Sequence, residues 1–318
     1  MAKKIIETPV YLFLGFLESG KTKFIQETFE DKRFDTGEKT LLLVCEEGEE
    51  EYDPKKFAVK NVAIRTLEED AMTEEMLYRM QLETGAQRIV VEYNGMWMVD
   101  DFFQAMPEGW IVNQIMTFFE TPTFLSYNQN MRQLVFDKIQ YTELVVFNRF
   151  KEGTDKMPLH KAVRNISRRC QIVYEYGTDK AEYDDIVDPL PFDVNAPVIK
   201  IEDRDYALFY QDFAEETKKY VGKTISFKGM VAWDDRLPKT ACVVGRHVMT
   251  CCEADIAYRG IAVNHKKPDL GLQTREWVEI TGKVVIANHG AYKKKGPVLD
   301  AAEIKRCAPP DPELATFY

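Results

Sequence analysis

An α/β domain with a mostly parallel sheet covered by helices, followed by a smaller β-rich, OB-like barrel, is the architecture this 318-residue sequence predicts. Three observations predict it. Short Val/Ile/Leu-rich runs alternate with helix-like segments through the first half, the pattern of a parallel sheet buried on both faces. Asp188-Pro189-Leu190-Pro191-Phe192-Asp193-Val194-Asn195-Ala196-Pro197 then carries three prolines in ten residues, which continue neither a helix nor a central strand. Beyond it come one amphipathic helix and five strand-like runs separated by turn signals, which suit a small closed barrel. The predicted organisation is therefore residues 1–188, a linker over 189–197 and a β domain over 198–318.

The first strand, Val10–Leu14, runs into Gly15-Phe16-Leu17-Glu18-Ser19-Gly20-Lys21-Thr22, which opens a helix over Lys21–Phe29. This is G-x-x-x-x-G-K-T between a strand and a helix, the context in which that pattern cradles phosphate. Gly15, Glu18, Ser19, Gly20, Lys21 and Thr22 form the expected cradle, whose amides at a new helix N-terminus point at the anion. Lys21 would reach the β- and γ-phosphates of GTP or ATP, and the Thr22 hydroxyl would take a position on Mg2+. Further strands are expected at Thr40–Cys45, Asn61–Arg65, Arg88–Glu92, Ile111–Phe118, Glu143–Asn148 and Gln171–Tyr174, with helices at Thr73–Glu83 and Leu159–Arg169.

A phosphate cradle that hydrolyses needs a carboxylate at a neighbouring strand end. Arg88-Ile89-Val90-Val91-Glu92-Tyr93-Asn94-Gly95 supplies Glu92 for Mg2+ and water, with a glycine turn placed to approach the γ-phosphate. The acidic run Cys45-Glu46-Glu47-Gly48-Glu49-Glu50-Glu51 leaves the next strand. It is either a solvated loop or a source of one group, Glu46 on the metal or Glu47 on the attacking water.

The second half is expected to hold a helix over Tyr206–Tyr220, buried through Phe209, Phe213 and Tyr220, and strands at Thr224–Trp233, Ala241–Thr250, Gly260–Val263, Trp277–Ala287 and Val298–Lys305. His247, Cys251 and Cys252, with Cys242 and Asp255 nearby, offer ligands suited to Zn2+ or Cu(I). Packing of small buried thiols in a barrel core is the competing reading. His160, His265 and His289 read as surface or packing residues, and Cys170 and Cys307 as buried thiols.

A net charge of −10 argues against nucleic acid as a partner, because phosphate backbones are met by clustered Lys and Arg. The one dense basic run, Lys293-Lys294-Lys295, sits beside glycine as a hairpin tip would. No apolar run approaches the ~20 residues of a membrane span, and no signal-peptide core opens the chain. A cytoplasmic protein with reduced thiols is the expectation.

Gly15-Phe16-Leu17 with Gly20-Lys21-Thr22, the Glu-Gly-Glu segment after the second strand and Glu92-x-x-Gly95 resemble the CobW/UreG/HypB family of metallochaperone GTPases over about residues 8–180. The resemblance implies a GTPase that couples hydrolysis to metal delivery to a protein client. Val145-Val146-Phe147-Asn148-Arg149 falls where that family carries its base-reading motif, which makes Asn148 and Arg149 nucleotide contacts. Lys151 stands where the family has a guanine-reading Asp, and Lys has no acceptor; Asp155 is a distant substitute. GTP and ATP therefore both stay open. The family's Cys-x-Cys-Cys is absent, Cys45 being the single cysteine before position 170.

Residues 197–318, through Tyr220-Val221-Gly222-Lys223, Gly245-Arg246-His247-Val248-Met249-Thr250-Cys251-Cys252-Glu253-Ala254-Asp255 and Trp277-Val278-Glu279-Ile280-Thr281-Gly282, resemble the C-terminal domain of YcgQ-type proteins. Those accompany a permease, which implies a membrane transport partner. The expected function is a triphosphatase coupled to metal handling or to such a partner. Its alternative is a nucleotide-binding regulator or scaffold with little turnover, whose β domain binds another protein.

Overall fold

The computed structural model describes residues 7–177, 180–233, 237–250, 256–265, 267, 270–292 and 295–317. The chain divides into two compact units, Met1–Ile186 and Val187–Tyr318. The first contains β1 (Thr8–Gly15), α1 (Lys21–Glu30), β2 (Thr40–Val44), β3 (Val62–Thr66), α2 (Glu74–Thr84), β4 (Arg88–Glu92), α3 (Val99–Ala105), β5 (Trp110–Glu120), α4 (Thr121–Asn130), α5 (Arg132–Gln140), β6 (Leu144–Asn148), α6 (Met157–Arg164), β7 (Gln171–Glu175) and β8 (Ala181–Tyr183).

These strands form one sheet in the order β3-β2-β4-β1-β5-β6-β7-β8. All its pairings are parallel except β7 with β8. Alternation along β1 explains why both faces are covered. Val10, Leu12 and Leu14 join Leu41, Leu43, Ile89 and Val91 in one core. Phe13 points the other way, into a core that holds Ile25 and Phe29 of α1 with Phe118 and Val146.

Three helices, α3, α4 and α5, go beyond the sequence expectation. They are short, at 7, 10 and 9 residues. α5 also buries Asp137 and Lys138 beside Val135 and Ile139, so its inward face does not read as apolar. Helix α6 stops at Arg164, not Arg169. The Val163 carbonyl there accepts from Ile166 and Ser167 in turn (2.9 and 2.8 Å), and Ser167 Oγ accepts from the Cys170 amide at 3.2 Å.

The second unit contains β9 (Ile199–Lys200), α7 (Tyr206–Glu215), β10 (Thr224–Ala232), β11 (Ala241–Met249), β12 (Ala257–Asn264), β13 (Trp277–Asn288), β14 (Lys295–Arg306) and β15 (Ala315–Thr316). Five of these strands close on themselves: β10 pairs β11, then β12, β14, β13 and β10 again. Only β12 with β14 is parallel within that ring, a Greek-key barrel of the OB type. Inward residues Ile225, Phe227, Val244, Ile261, Val263, Val278, Ile280 and Leu299 fill it.

Helix α7 ends five residues short of Tyr220, because Glu216 leaves helical geometry (φ −118°, ψ 40°) and a 3-10 turn follows. Phe209, Phe213 and Tyr220 are nevertheless the buried stripe. The proline segment is not bare: Phe192 packs edge-on against Phe209, and the Val194 carbonyl accepts from Lys223 at 2.8 Å. Of the basic run, Lys295 begins β14, while Lys293 and Lys294 lie outside the described residues. Among the described residues no helix is long and apolar enough to cross a membrane.

Candidate nucleotide-phosphate site

The phosphate loop leaves the carboxyl end of β1 between β4 and β5, the edge at which α/β sheets take ligands. Gly20 turns the chain with φ +96°, a left-handed conformation glycine adopts at no steric cost. Helix α1 starts at the next residue, so its free amides face the loop and favour an anion. Two buried oxygens at the loop, Ser19 Oγ and Asn148 Oδ1, have no partner among the described residues.

Lys21 is 2% exposed. Its ammonium donates to the carbonyls of Gly15 (2.8 Å) and Phe16 (2.9 Å) and pairs with Glu46 Oε1. The other Glu46 oxygen accepts from the Gly95 amide at 3.1 Å. One carboxylate thus joins the loop lysine to the glycine turn after β4. Gly95 fits because its backbone touches the loop: a Cβ there would lie 2.6 Å from Phe16 Cα and 2.7 Å from the Gly15 carbonyl.

The second pairing is Thr22 with Glu92. The Thr22 hydroxyl donates to Glu92 Oε1 at 2.6 Å, and the Tyr52 hydroxyl donates to Glu92 Oε2. Burial pushes the Glu92 carboxyl above its ordinary range, opposed by those two hydroxyls and by Lys21. Cys45 is buried nearby, and burial with the charges of Glu92 and Glu46 raises its thiol far out of the physiological range, so it stays protonated.

Asn148, at the end of β6, donates from Nδ2 to the Ser19 carbonyl and braces the loop. Arg149 has φ +52° and pairs with Glu120. Lys151 is exposed, and Asp155 accepts from the Met157 amide at the start of α6 (3.0 Å).

Glu18, Ser19, Gly20, Lys21, Thr22, Glu46, Glu92 and Arg149 all line one small cavity of about 20 Å3. Glu47 does not. It is exposed and lines a neighbouring cleft of about 470 Å3 with Phe16, Cys45, Glu68, Met96 and Tyr127.

Three contributors went unread in the sequence. Tyr52 lies one residue past the acidic run, with no pattern to mark it. Asp137 and Lys138 anchor the segment after Gly95. Lys138 Nζ donates to the Trp97 carbonyl (2.5 Å) and Asp137 (3.0 Å), and Asp137 accepts from the Val99 amide (3.0 Å). Burial lowers the Lys138 pKa and the Asp137 charge opposes that.

In the barrel, His247 is exposed on β11 with its ring 5.7 Å from that of Tyr258. Cys251, Cys252 and Asp255 lie outside the described residues. Cys242 is buried, which pushes its thiol up to about 12. Among the described residues no group of three or more His, Cys, Asp or Glu is placed to hold a metal ion. His265 and His289 are buried, and His160 is buried with its Nδ1 2.7 Å from Asp184.

Sheet order and loop make the first unit a P-loop NTPase-type α/β domain, and strand closure makes the second an OB-like barrel. Residues 177–314 match the family described as the DUF1980 C-terminal domain. No curated protein matches the chain. Among solved structures, the Zn(II)-bound YjiA GTPase from E. coli aligns with a TM-score of 0.40 and 13% identity, over 80% of this chain and 89% of that one. The hydrogenase maturation factor HypB from Archaeoglobus fulgidus aligns with a TM-score of 0.38 and 16% identity, over 55% of this chain and 84% of that one.

Proposed function

We propose that the first unit is a Mg2+-dependent nucleoside triphosphatase. The observation that carries this reading is the pairing of Thr22 with buried Glu92 beside buried Lys21. A hydroxyl and a carboxylate at the mouth of an anion cradle are the hard oxygen donors Mg2+ takes, together with waters and phosphate. Glu92 supports the fit, since it is buried and both its hydroxyl partners are neutral. Thr22 and Glu92 would hold the ion, which when bound neutralises charge on the β- and γ-phosphates.

The chain's own groups do the rest. Loop amides from Glu18 to Thr22 and the α1 N-terminus bind the phosphates. Lys21 stabilises charge that grows on the transferred group. The Gly95 amide meets the γ-phosphate, and Glu92 orders water. Asn148 braces the loop from behind, and Arg149, which lines the same cavity as Lys21, would contact the base as the family resemblance implies. The residue likeness to CobW/UreG/HypB supplies the coupling to metal handling, and the likeness to YcgQ-type proteins supplies a membrane transport partner.

Phosphate release measured separately with GTP and ATP, with and without Mg2+, tests the triphosphatase. No release with either nucleotide defeats it. For metal, elemental analysis of the protein beside a Cys251→Ser/Cys252→Ser variant is the check, and equal contents dispose of the thiol site. A regulator with little turnover is the second reading, favoured by Lys151 at the guanine-reading position; binding of both nucleotides without hydrolysis would establish it.

A further inference from the structure

The Glu46 carboxylate occupies two donors on either side of the loop's mouth, Lys21 Nζ and the Gly95 amide. In the triphosphatase reading, on which this inference rests, the γ-phosphate takes those same two groups. The segment that carries Glu46 is tied down at two more places. Glu18 Oε1 accepts from the Glu49 amide at 2.8 Å, and Tyr52 donates to Glu92. Gly48 allows the first of these, because a Cβ there would lie 2.6 Å from Glu18 Oε1.

We propose that Glu46 is a built-in stand-in for the γ-phosphate, and that Glu46–Tyr52 is a lid which a nucleoside triphosphate displaces and a diphosphate does not. Lys21 is enclosed and already donates to two carbonyls, so it cannot serve a phosphate and Glu46 together. A ligand that takes both Lys21 and Gly95 must expel the carboxylate. A diphosphate held by the loop amides leaves Glu46 on Gly95. A β-phosphate also draws on Lys21, but only a triphosphate takes Lys21 and Gly95 together and expels the carboxylate from both, so the penalty falls mainly on triphosphate affinity. Displacement also frees the acidic segment only when a γ-phosphate is present, a local change with a readable consequence.

The test is equilibrium binding of fluorescent, non-hydrolysable GTP and ATP analogues, and of the matching diphosphates, to wild type, Glu46→Gln and Glu51→Gln. Glu51 is exposed and controls for charge. Glu46→Gln is expected to tighten triphosphate binding about tenfold and diphosphate binding less than about twofold, the scale of one charge-assisted contact. Glu51→Gln is expected to leave the triphosphate-to-diphosphate ratio unchanged. Tightening of both ligands by the same factor, or of neither, overturns the lid while leaving the triphosphatase reading intact. Absence of binding to wild type and to Glu46→Gln alike removes both. Matching thermal melts of the three proteins exclude misfolding as the cause.

Discussion

Thr22 and Glu92, 70 residues apart in sequence, meet at 2.6 Å where the first turn of α1 faces the end of β4. Glu92 is 3% exposed, and its burial holds the carboxyl above the ordinary 4.5. As pH rises, the unfolded chain gives up this proton first. The stabilisation it contributes is therefore complete below the ordinary value and is lost as pH climbs through the raised native value. Glu92→Gln removes that pH dependence. Melting temperature against pH should fall more steeply for wild type than for the variant above pH 4.5. Parallel curves would refute the assignment of the shift. The same variant should need roughly 10–100-fold more Mg2+ for half-maximal phosphate release, the usual effect of losing a metal-supporting carboxylate.

Lys21→Ala is expected to cut phosphate release by roughly 100- to 1000-fold, the scale for loss of one preorganised group at a developing charge. Glu46 loses its partner but keeps the Gly95 amide, and it lies near enough to solvent to turn outward. Far-UV circular dichroism should match wild type. Release within threefold of wild type would remove Lys21 from the chemistry.

The parts of this protein legible in its sequence are those written in neighbouring residues. The phosphate loop is contiguous, and the unbroken apolar run Val10–Leu14 announces a strand buried on both faces. The five barrel strands announce themselves too, as strand-like runs separated by turn signals. What escaped is what long-range contacts decide. Glu46 reads as either part of a solvated acidic run or a carboxylate on the metal, and only the fold carries it to Lys21, 25 residues back, and to Gly95, 49 ahead. Tyr52 had no marker because its role depends on a partner 40 residues away. Helix α5 was hidden because two charged residues occupy its buried face.

Those two residues make a stability prediction. Asp137 and Lys138 are at most 1% exposed and tie α5 to Trp97 and Val99, just past the glycine turn. Lys138→Met strands the Asp137 charge in the interior and should cost about 3–5 kcal/mol in urea unfolding of the first unit. Replacing both, Asp137→Leu with Lys138→Met, should recover part of that loss, because no uncompensated charge remains. A double variant less stable than the single would mean the pair acts mainly through the Trp97 and Val99 hydrogen bonds.

Gly95→Ala probes the turn where β4, the loop and the lid converge. The backbone there is not left-handed, so the constraint is space: the new methyl would meet Phe16 Cα at 2.6 Å and the Gly15 carbonyl at 2.7 Å. Both neighbours are backbone and cannot rotate away. The turn must back off from the loop, at a cost of about 1–3 kcal/mol typical of overpacking. Moving it carries the Gly95 amide away from the γ-phosphate position. Triphosphate affinity should therefore fall at least about tenfold while diphosphate affinity, held by the loop amides, changes little. Titration of both ligands against the variant is the measurement. Equal losses for the two would place the damage in the loop itself, and no loss for either would mean that the glycine turn does not touch the terminal phosphate.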